Sequence, residues 1–147
     1  MSFQLLAKTT VHINAPAYKV WEALTTPAII KLYFFGTDVI TDWKVDSSLV
    51  FKGVWEGKPY EDKGTIIAIE PNKYLRYNYL SSMGSLPDHP ENYVNITYDL
   101  NEDHGVTALT ITQDHILTDE VKQQSEENWT AILKSLKELI EKDNPDI

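Results

Sequence analysis

Ala15-Pro-Ala-Tyr-Lys-Val-Trp-Glu-Ala-Leu-Thr-Thr-Pro27 stands directly behind one strand-like run and ahead of a long region of different period, and that position decides the fold. Asn14 offers a capping side chain and Pro16 suits the first turn of a helix. Val20, Trp21 and Leu24 recur at helical spacing, so one face of a short helix is apolar. Thr26-Pro27 repeats the start signal, and Ile29, Ile30 and Leu32 predict a second, shorter helix. Two helices back to back, with no strand between them, form a V or an L.

On the N-terminal side, Phe3 to Ile13 alternates, with Leu5, Ala7, Thr9, Val11 and Ile13 on one face of a half-buried strand. On the other side the period is two from Val39 to Gln113. Strands are predicted at Val50–Trp55, Glu61–Glu70 (carrying Ile66, Ile67 and Ile69), Tyr74–Leu80 and Tyr93–Leu100, with one more ending near Gln113. Gly57-Lys58-Pro59, Pro71-Asn72 and Asn101 to Gly105 read as turns. Ser81 to Glu91 carries Gly84, Pro87 and Pro90, is too long for a tight turn, and reads as a loop over a rim. Thr118 caps a long closing helix that Asn144-Pro145 ends, with Asp119 and Glu120 at its positive end. Its apolar stripe is Val121, Trp129, Ile132, Leu133, Leu136, Leu139 and Ile140. Ser125 and Asn128 break that stripe in its first half only, so the second half enters dry core and the first half overlies something wetter.

These elements bury their apolar faces together if an antiparallel sheet curves around the closing helix while the short helices shut one end. The expected class is α+β, a curved antiparallel sheet wrapped around a long C-terminal helix, with residues 1–147 as a single domain. Helix and curved sheet diverge towards one end, which leaves a cavity lined by inward strand residues. Candidate lining residues from the helices are Trp21, Leu24, Phe34, Asn128 and Trp129. From the strands they are Phe51, Trp55, Leu75, Tyr77, Tyr79 and Tyr98, with Ile111 and Gln113 on the last. Tyr77, Tyr79, Gln113 and Asn128 would set polar tips around an apolar space, whereas plain core with satisfied hydroxyls is the competing reading.

Composition narrows the function classes. The hydrophobic content is 42% and the charged content 24%, which is the globular range. There is no cysteine, hence no disulfide framework, thiolate metal site or cysteine nucleophile. No apolar run approaches the roughly 18–20 residues of a membrane span and no leader opens the chain, so a cytoplasmic location and no membrane partner are expected. The net charge of -9 repels phosphate backbones, which argues against nucleic acid. His12, His89, His104 and His115 share no metal-ligand spacing, and no phosphate-binding glycine loop or nucleophile elbow occurs; no cofactor is expected. Glu61/Asp62 and Glu126/Glu127 are sequence neighbours and read as solvated faces rather than an acid/base dyad.

Thr10 to Pro16 together with Val20 to Pro27 resembles the opening of START-like (SRPBCC) domains. Within that superfamily the chain is most similar to bacterial homologues of the C-terminal domain of the heat-shock protein 90 ATPase activator. Asn128-Trp129, Ile132-Leu133 and Leu136-Lys137 resemble the family's closing helix, and Tyr60 to Gly64, Tyr74 to Tyr79 and Thr107 to Gln113 its middle strands. The chain departs from the family at Asp46-Ser47-Ser48, where many relatives have a glycine pair, and at Tyr33-Phe34-Phe35, where many have a tryptophan pair. It also has no length for the separate N-terminal domain of eukaryotic activators. The resemblance implies binding of a small hydrophobic molecule without catalysis. A protein-interaction or co-chaperone module is the alternative, with an exposed patch expected around Phe34 and Phe35. A cyclase or dehydratase is a third reading, for which His115 is the ionisable candidate.

Overall fold

A computed structural model describes residues 5–34, 36–80, 89, 92–116 and 118–142, with the side chain of Trp55 outside that description. The predicted Ser81–Glu91 loop falls almost entirely outside it, as do Phe35 and the Asn144-Pro145 stop. The chain runs β1 (Leu5–Ile13), α1 (Ala17–Thr25), α2 (Pro27–Tyr33), β2 (Asp38–Ile40), β3 (Ser48–Trp55), β4 (Lys58–Glu70), β5 (Tyr74–Leu80), β6 (Val94–Asp103), β7 (Val106–Ile116) and α3 (Asp119–Lys142). All neighbouring strands are antiparallel in a seven-stranded sheet of order β1-β7-β6-β5-β4-β3-β2. This is the α+β helix-grip arrangement, with α3 packed on the sheet.

Local chemistry places the first helices. Thr26 is extended (φ -109°), the conformation imposed on a residue before proline, and so ends α1 while Pro27 starts α2. The Tyr33 hydroxyl donates to Ala23 O at 2.9 Å and locks the angle between the helices. The cap of α1 differs from expectation. Pro16 occupies the N-cap position, and the Ala17 N–H is taken by Glu102 Oε1 at 2.6 Å, from the β6–β7 hairpin. A proline at the cap has no side-chain acceptor, so the acceptor arrives from a distant element.

Turns are tighter than the sequence implies. Glu56-Gly57 and His104-Gly105 have positive φ at both residues, as a two-residue hairpin with matching strand twist requires. Pro59 therefore lies in β4, opposite Val54, and β6 extends through Asp103.

Two bulges bend the sheet. β4 slips register between Ile66 and Ala68, so Ile66 is fully buried and Ile69 also packs on the core while Ile67 is exposed. β7 slips opposite Leu5 and Ala7, and there His115 takes a left-handed φ of 57°. Gly64 permits a close strand approach, since a Cβ built there would stand 1.8 Å from the Asn78 carbonyl oxygen.

α3 runs along β1, the sheet's edge strand. Glu126 Oε2 accepts from Lys8 N at 3.0 Å, Glu141 Oε2 accepts from Asn14 N at 2.9 Å, and Lys137 Nζ donates to His12 O at 2.5 Å. Helix side chains thus satisfy an edge that would otherwise be a template for further strands. Glu126 is a clamp, which corrects its reading as plain solvated surface. Thr118 Oγ1 accepts from Val121 N at 3.2 Å, as expected of the cap. Trp129, Ile132, Leu133, Leu136 and Ile140 are buried, whereas Val121 is exposed and leaves the predicted stripe.

Candidate functional site

Beneath the first half of α3 lies a cavity of about 420 Å³. Its floor is a closed circuit of aromatic rings. Phe34 stacks on Phe51 (centroids 6.1 Å apart), Phe51 meets Tyr77 (5.9 Å), Tyr77 meets Tyr98 (5.7 Å), Tyr98 meets Trp129 (6.2 Å), and Trp129 returns to Phe34 (6.1 Å). Tilted and edge-to-face contacts at these distances are favourable for aromatic quadrupoles, so the rings brace one another. Phe34, Phe51 and Tyr77 also bound a void of only 20 Å³ on the far side, with Leu24, Leu75 and Tyr98. The circuit is a partition between the chamber and the close-packed core.

That partition sorts the residues named from the sequence. Phe34, Phe51, Tyr77, Tyr79, Gln113, Asn128 and Trp129 line the large cavity. Leu24, Leu75 and Tyr98 lie on the core side, Ile111 is buried in the core, and Trp21 packs partly buried against it. Trp55 ends β3, and its side chain is not described. His115 sits in the bulge with a left-handed φ of 57° and Nδ1 2.7 Å from Asp114 Oδ1, and it does not line the cavity. Phe34 is partly buried against the core and lines the cavity, while Phe35 lies outside the described residues.

Sequence reasoning missed the polar wall on β4. Asp62 is only 6% exposed and accepts a short hydrogen bond from the Tyr79 hydroxyl, which corrects its assignment to a solvated face. Tyr60, two residues earlier, bonds through its hydroxyl to Oγ1 of fully buried Thr37 at 2.5 Å. Tyr60 lies opposite Gly53, where a Cβ would stand 2.5 Å from the phenol oxygen, so the glycine leaves room for the ring. The signal was available in strand parity, since Tyr60, Asp62 and Gly64 share the face of Ile66. Ile96, Ser125 and Ile132 complete the lining.

Across the cavity, the Trp129 Nε1–H donates to Gln113 Oε1 at 3.0 Å. This fixes the amide's orientation and leaves its N–H groups as the donors of that wall. The Tyr77 and Tyr98 hydroxyls bond to each other at 3.0 Å. Burial pushes Tyr98 up to about 12, with the bond from Tyr77 pulling back, and burial likewise raises Tyr77 well above its ordinary value, helped by the neighbouring Tyr98. Both are neutral hydroxyls, suited to hydrogen bonding and not to proton transfer near neutral pH. Among the described residues no group of three or more His, Cys, Asp or Glu gathers as a metal site, and no helix is long and apolar enough to cross a membrane.

A family model described as Activator of Hsp90 ATPase homolog 1-like protein matches residues 14–141, from just before α1 to the last turn of α3. The chain belongs to this family. Protein ChR145 from Cytophaga hutchinsonii is 43% identical, with 97% of this chain and 98% of that one covered at a TM-score of 0.86. The Aha1 dimer from Colwellia psychrerythraea is 22% identical over 92% of this chain and 96% of its own, with a TM-score of 0.71. Ara h 8.0201 is 13% identical, with 94% and 98% covered and a TM-score of 0.74. These last two similarities are of fold alone. No curated protein matches the sequence.

Proposed function

We propose that this member of the activator-homologue family binds a small, largely apolar molecule in the chamber beneath α3. The observation that carries the reading is the 420 Å³ space itself, walled by aromatic rings on one side and by hydrogen-bonding side chains on two others. Its size falls within the range of roughly 300–1,000 Å³ usual for small-molecule sites. Burying about 300 Å² of apolar ligand surface at roughly 25 cal/mol per Å² supplies several kcal/mol before ordering costs, enough for micromolar affinity. No catalytic group is needed for this role.

The test is a thermal-shift screen against lipids, flavonoids and other apolar metabolites. A ligand at about 100 times its Kd adds about 2.7 kcal/mol to the folded state. The hit must also perturb the Trp129 indole and lose affinity in Ile132→Trp, which fills the chamber. A flat screen, or hits indifferent to Ile132→Trp, would reject the chamber as the site.

A protein-partner reading, in keeping with the family's name, is favoured by a different feature. A 240 Å³ groove between α1, α2 and the end of α3 is flanked by Leu32 at 71% and Tyr18 at 57% exposure. Retention of the heat-shock protein 90 chaperone by the wild type and its loss in Leu32→Asp would support this reading. Absence of binding at high micromolar concentration would end it.

A further inference from the structure

We infer that the chamber selects a ligand bearing a carbonyl-type hydrogen-bond acceptor, and that the Gln113 side-chain amide is the group that reads it; this selectivity rests on the ligand-binding reading above. The chamber's polar groups divide by side. Towards β4 and β5 each polar side chain of the lining has a protein partner, with Tyr60 bonded to Thr37, Tyr79 to Asp62 and Tyr77 to Tyr98. Towards β7 and α3 the polar lining residues are Gln113, Ser125 and Asn128. Among the described residues Gln113 has one side-chain hydrogen bond, made through its oxygen, and the side chains of Ser125 and Asn128 have none.

Gln113 points inward from β7, opposite Ile96 of the same lining. An indole N–H can only donate, so the amide oxygen is the atom that meets Trp129, and the N–H groups on Nε2 are left for other partners. Nε2 is not sealed in, since the one buried side-chain polar atom without a partner among the described residues is Arg76 Nε. The open space that the inward Gln113 side chain meets is the chamber. Trp129 thus holds the carboxamide as a fixed donor. Ser125 and exposed Asn128, within one turn of Trp129 on α3, continue the polar strip towards solvent. A fixed donor penalises an analogue that lacks the acceptor, because the N–H gives up water and gains nothing in return. The ligand's apolar body then rests on Phe34, Phe51, Ile96 and Ile132, with its acceptor under α3.

The experiment uses two planar probes of one shape, 2-acetylnaphthalene and 2-isopropenylnaphthalene, in which a carbonyl oxygen is exchanged for a methylene. Methyl shifts of Ile96 and Ile132 report occupancy, and the side-chain amide protons of Gln113 report the contact. In the wild type both probes should move the methyls, whereas only the ketone should move the Gln113 amide protons downfield. By calorimetry, the ratio of ketone to alkene affinity should fall about tenfold in Gln113→Met, with the alkene held within about twofold of its wild-type affinity. Gln113 amide protons that respond alike to both probes would overturn the inference while leaving the chamber a binding site. So would a ratio that survives in Gln113→Met. Failure of both probes to move Ile96 and Ile132 would remove both readings. The wild-type amide protons decide even if the variant does not fold.

Discussion

Gly64→Ala should be among the most damaging single-methyl additions in this protein, and the reason is geometric. The new Cβ would stand 1.8 Å from the Asn78 carbonyl oxygen and 2.8 Å from its carbon, both backbone atoms in the neighbouring strand. Relief requires β4 and β5 to part by more than about 1 Å at the pair Gly64–Tyr79, where strands normally lie about 4.8 Å apart. The adjacent bond from Thr65 N to Asn78 Oδ1, 2.7 Å long, would be lost with it. Overpacking strain and weakened hydrogen bonds together cost about 3 kcal/mol. With about 2.1 cal/mol/K of unfolding entropy per residue over 147 residues, the melting temperature falls by about 10 °C. Gly53→Ala is the control, because its Cβ meets only the ring end of Tyr60, which can swing aside. Its expected loss is about 1 kcal/mol, or about 3 °C. Calorimetric melts of both variants decide the matter. Equal losses, or a fall of less than about 3 °C for Gly64→Ala, would refute the claim that the backbone approach of β4 and β5 requires a glycine at position 64.

Glu102→Ala should cost about 1 kcal/mol by removing the acceptor for Ala17 N, and Glu102→Gln should recover most of it in urea titrations. Tyr77→Phe and Tyr98→Phe should each cost about 1–2 kcal/mol, and the double variant less than their sum, because each single change strands a buried hydroxyl; a double-mutant cycle measures this. Tyr33, Tyr77 and Tyr98 are raised by burial above the usual 10.0, so the folded state holds protons that the unfolded chain releases. Their contribution is complete below the unfolded value and is lost as pH rises through the raised folded values, that of Tyr98 being about 12, which denaturant titrations above pH 10 will show as a steep decline. Glu126 and Glu141 are lowered, chiefly by the backbone N–H groups of Lys8 and Asn14 and then by Lys122 and Lys137. The clamp on β1 therefore contributes above the ordinary carboxylate range and is lost as pH falls through the depressed values, so Glu126→Gln with Glu141→Gln should flatten the acid limb of the stability curve.

Much of this architecture was legible because it depends on period and punctuation. The Thr26-Pro27 boundary, the alternation from β3 to β7 and the break at Ser125 and Asn128 in the α3 stripe are local signals, and each predicted its element. The break even located the chamber, since polar residues one turn apart on an otherwise apolar face stay only where the face does not dry. What alternation could not supply was the side of the aromatic partition on which an inward residue falls. Tyr77 and Tyr98 sit on adjacent strands and hydrogen-bond to each other, yet only Tyr77 reaches the chamber. That sorting follows from where the bulges at Ile67 and His115 bend the sheet, and neither bulge carries a glycine or proline to announce it.

Asp62 was missed for a different reason. Its parity with Ile66 placed it on the inner face, but a charged residue on a strand is ordinarily assigned outward whatever its phase, because burying an unpaired charge is costly. The fold meets that cost with Tyr79, whose hydroxyl donates to Asp62, and it makes room beside it by placing Gly53 opposite Tyr60. Two departures from strand preference thus occur within one neighbourhood, an inward acid and a glycine inside β3, beside a tyrosine bonded to a buried threonine. Together they leave polar groups on one wall of an aromatic chamber.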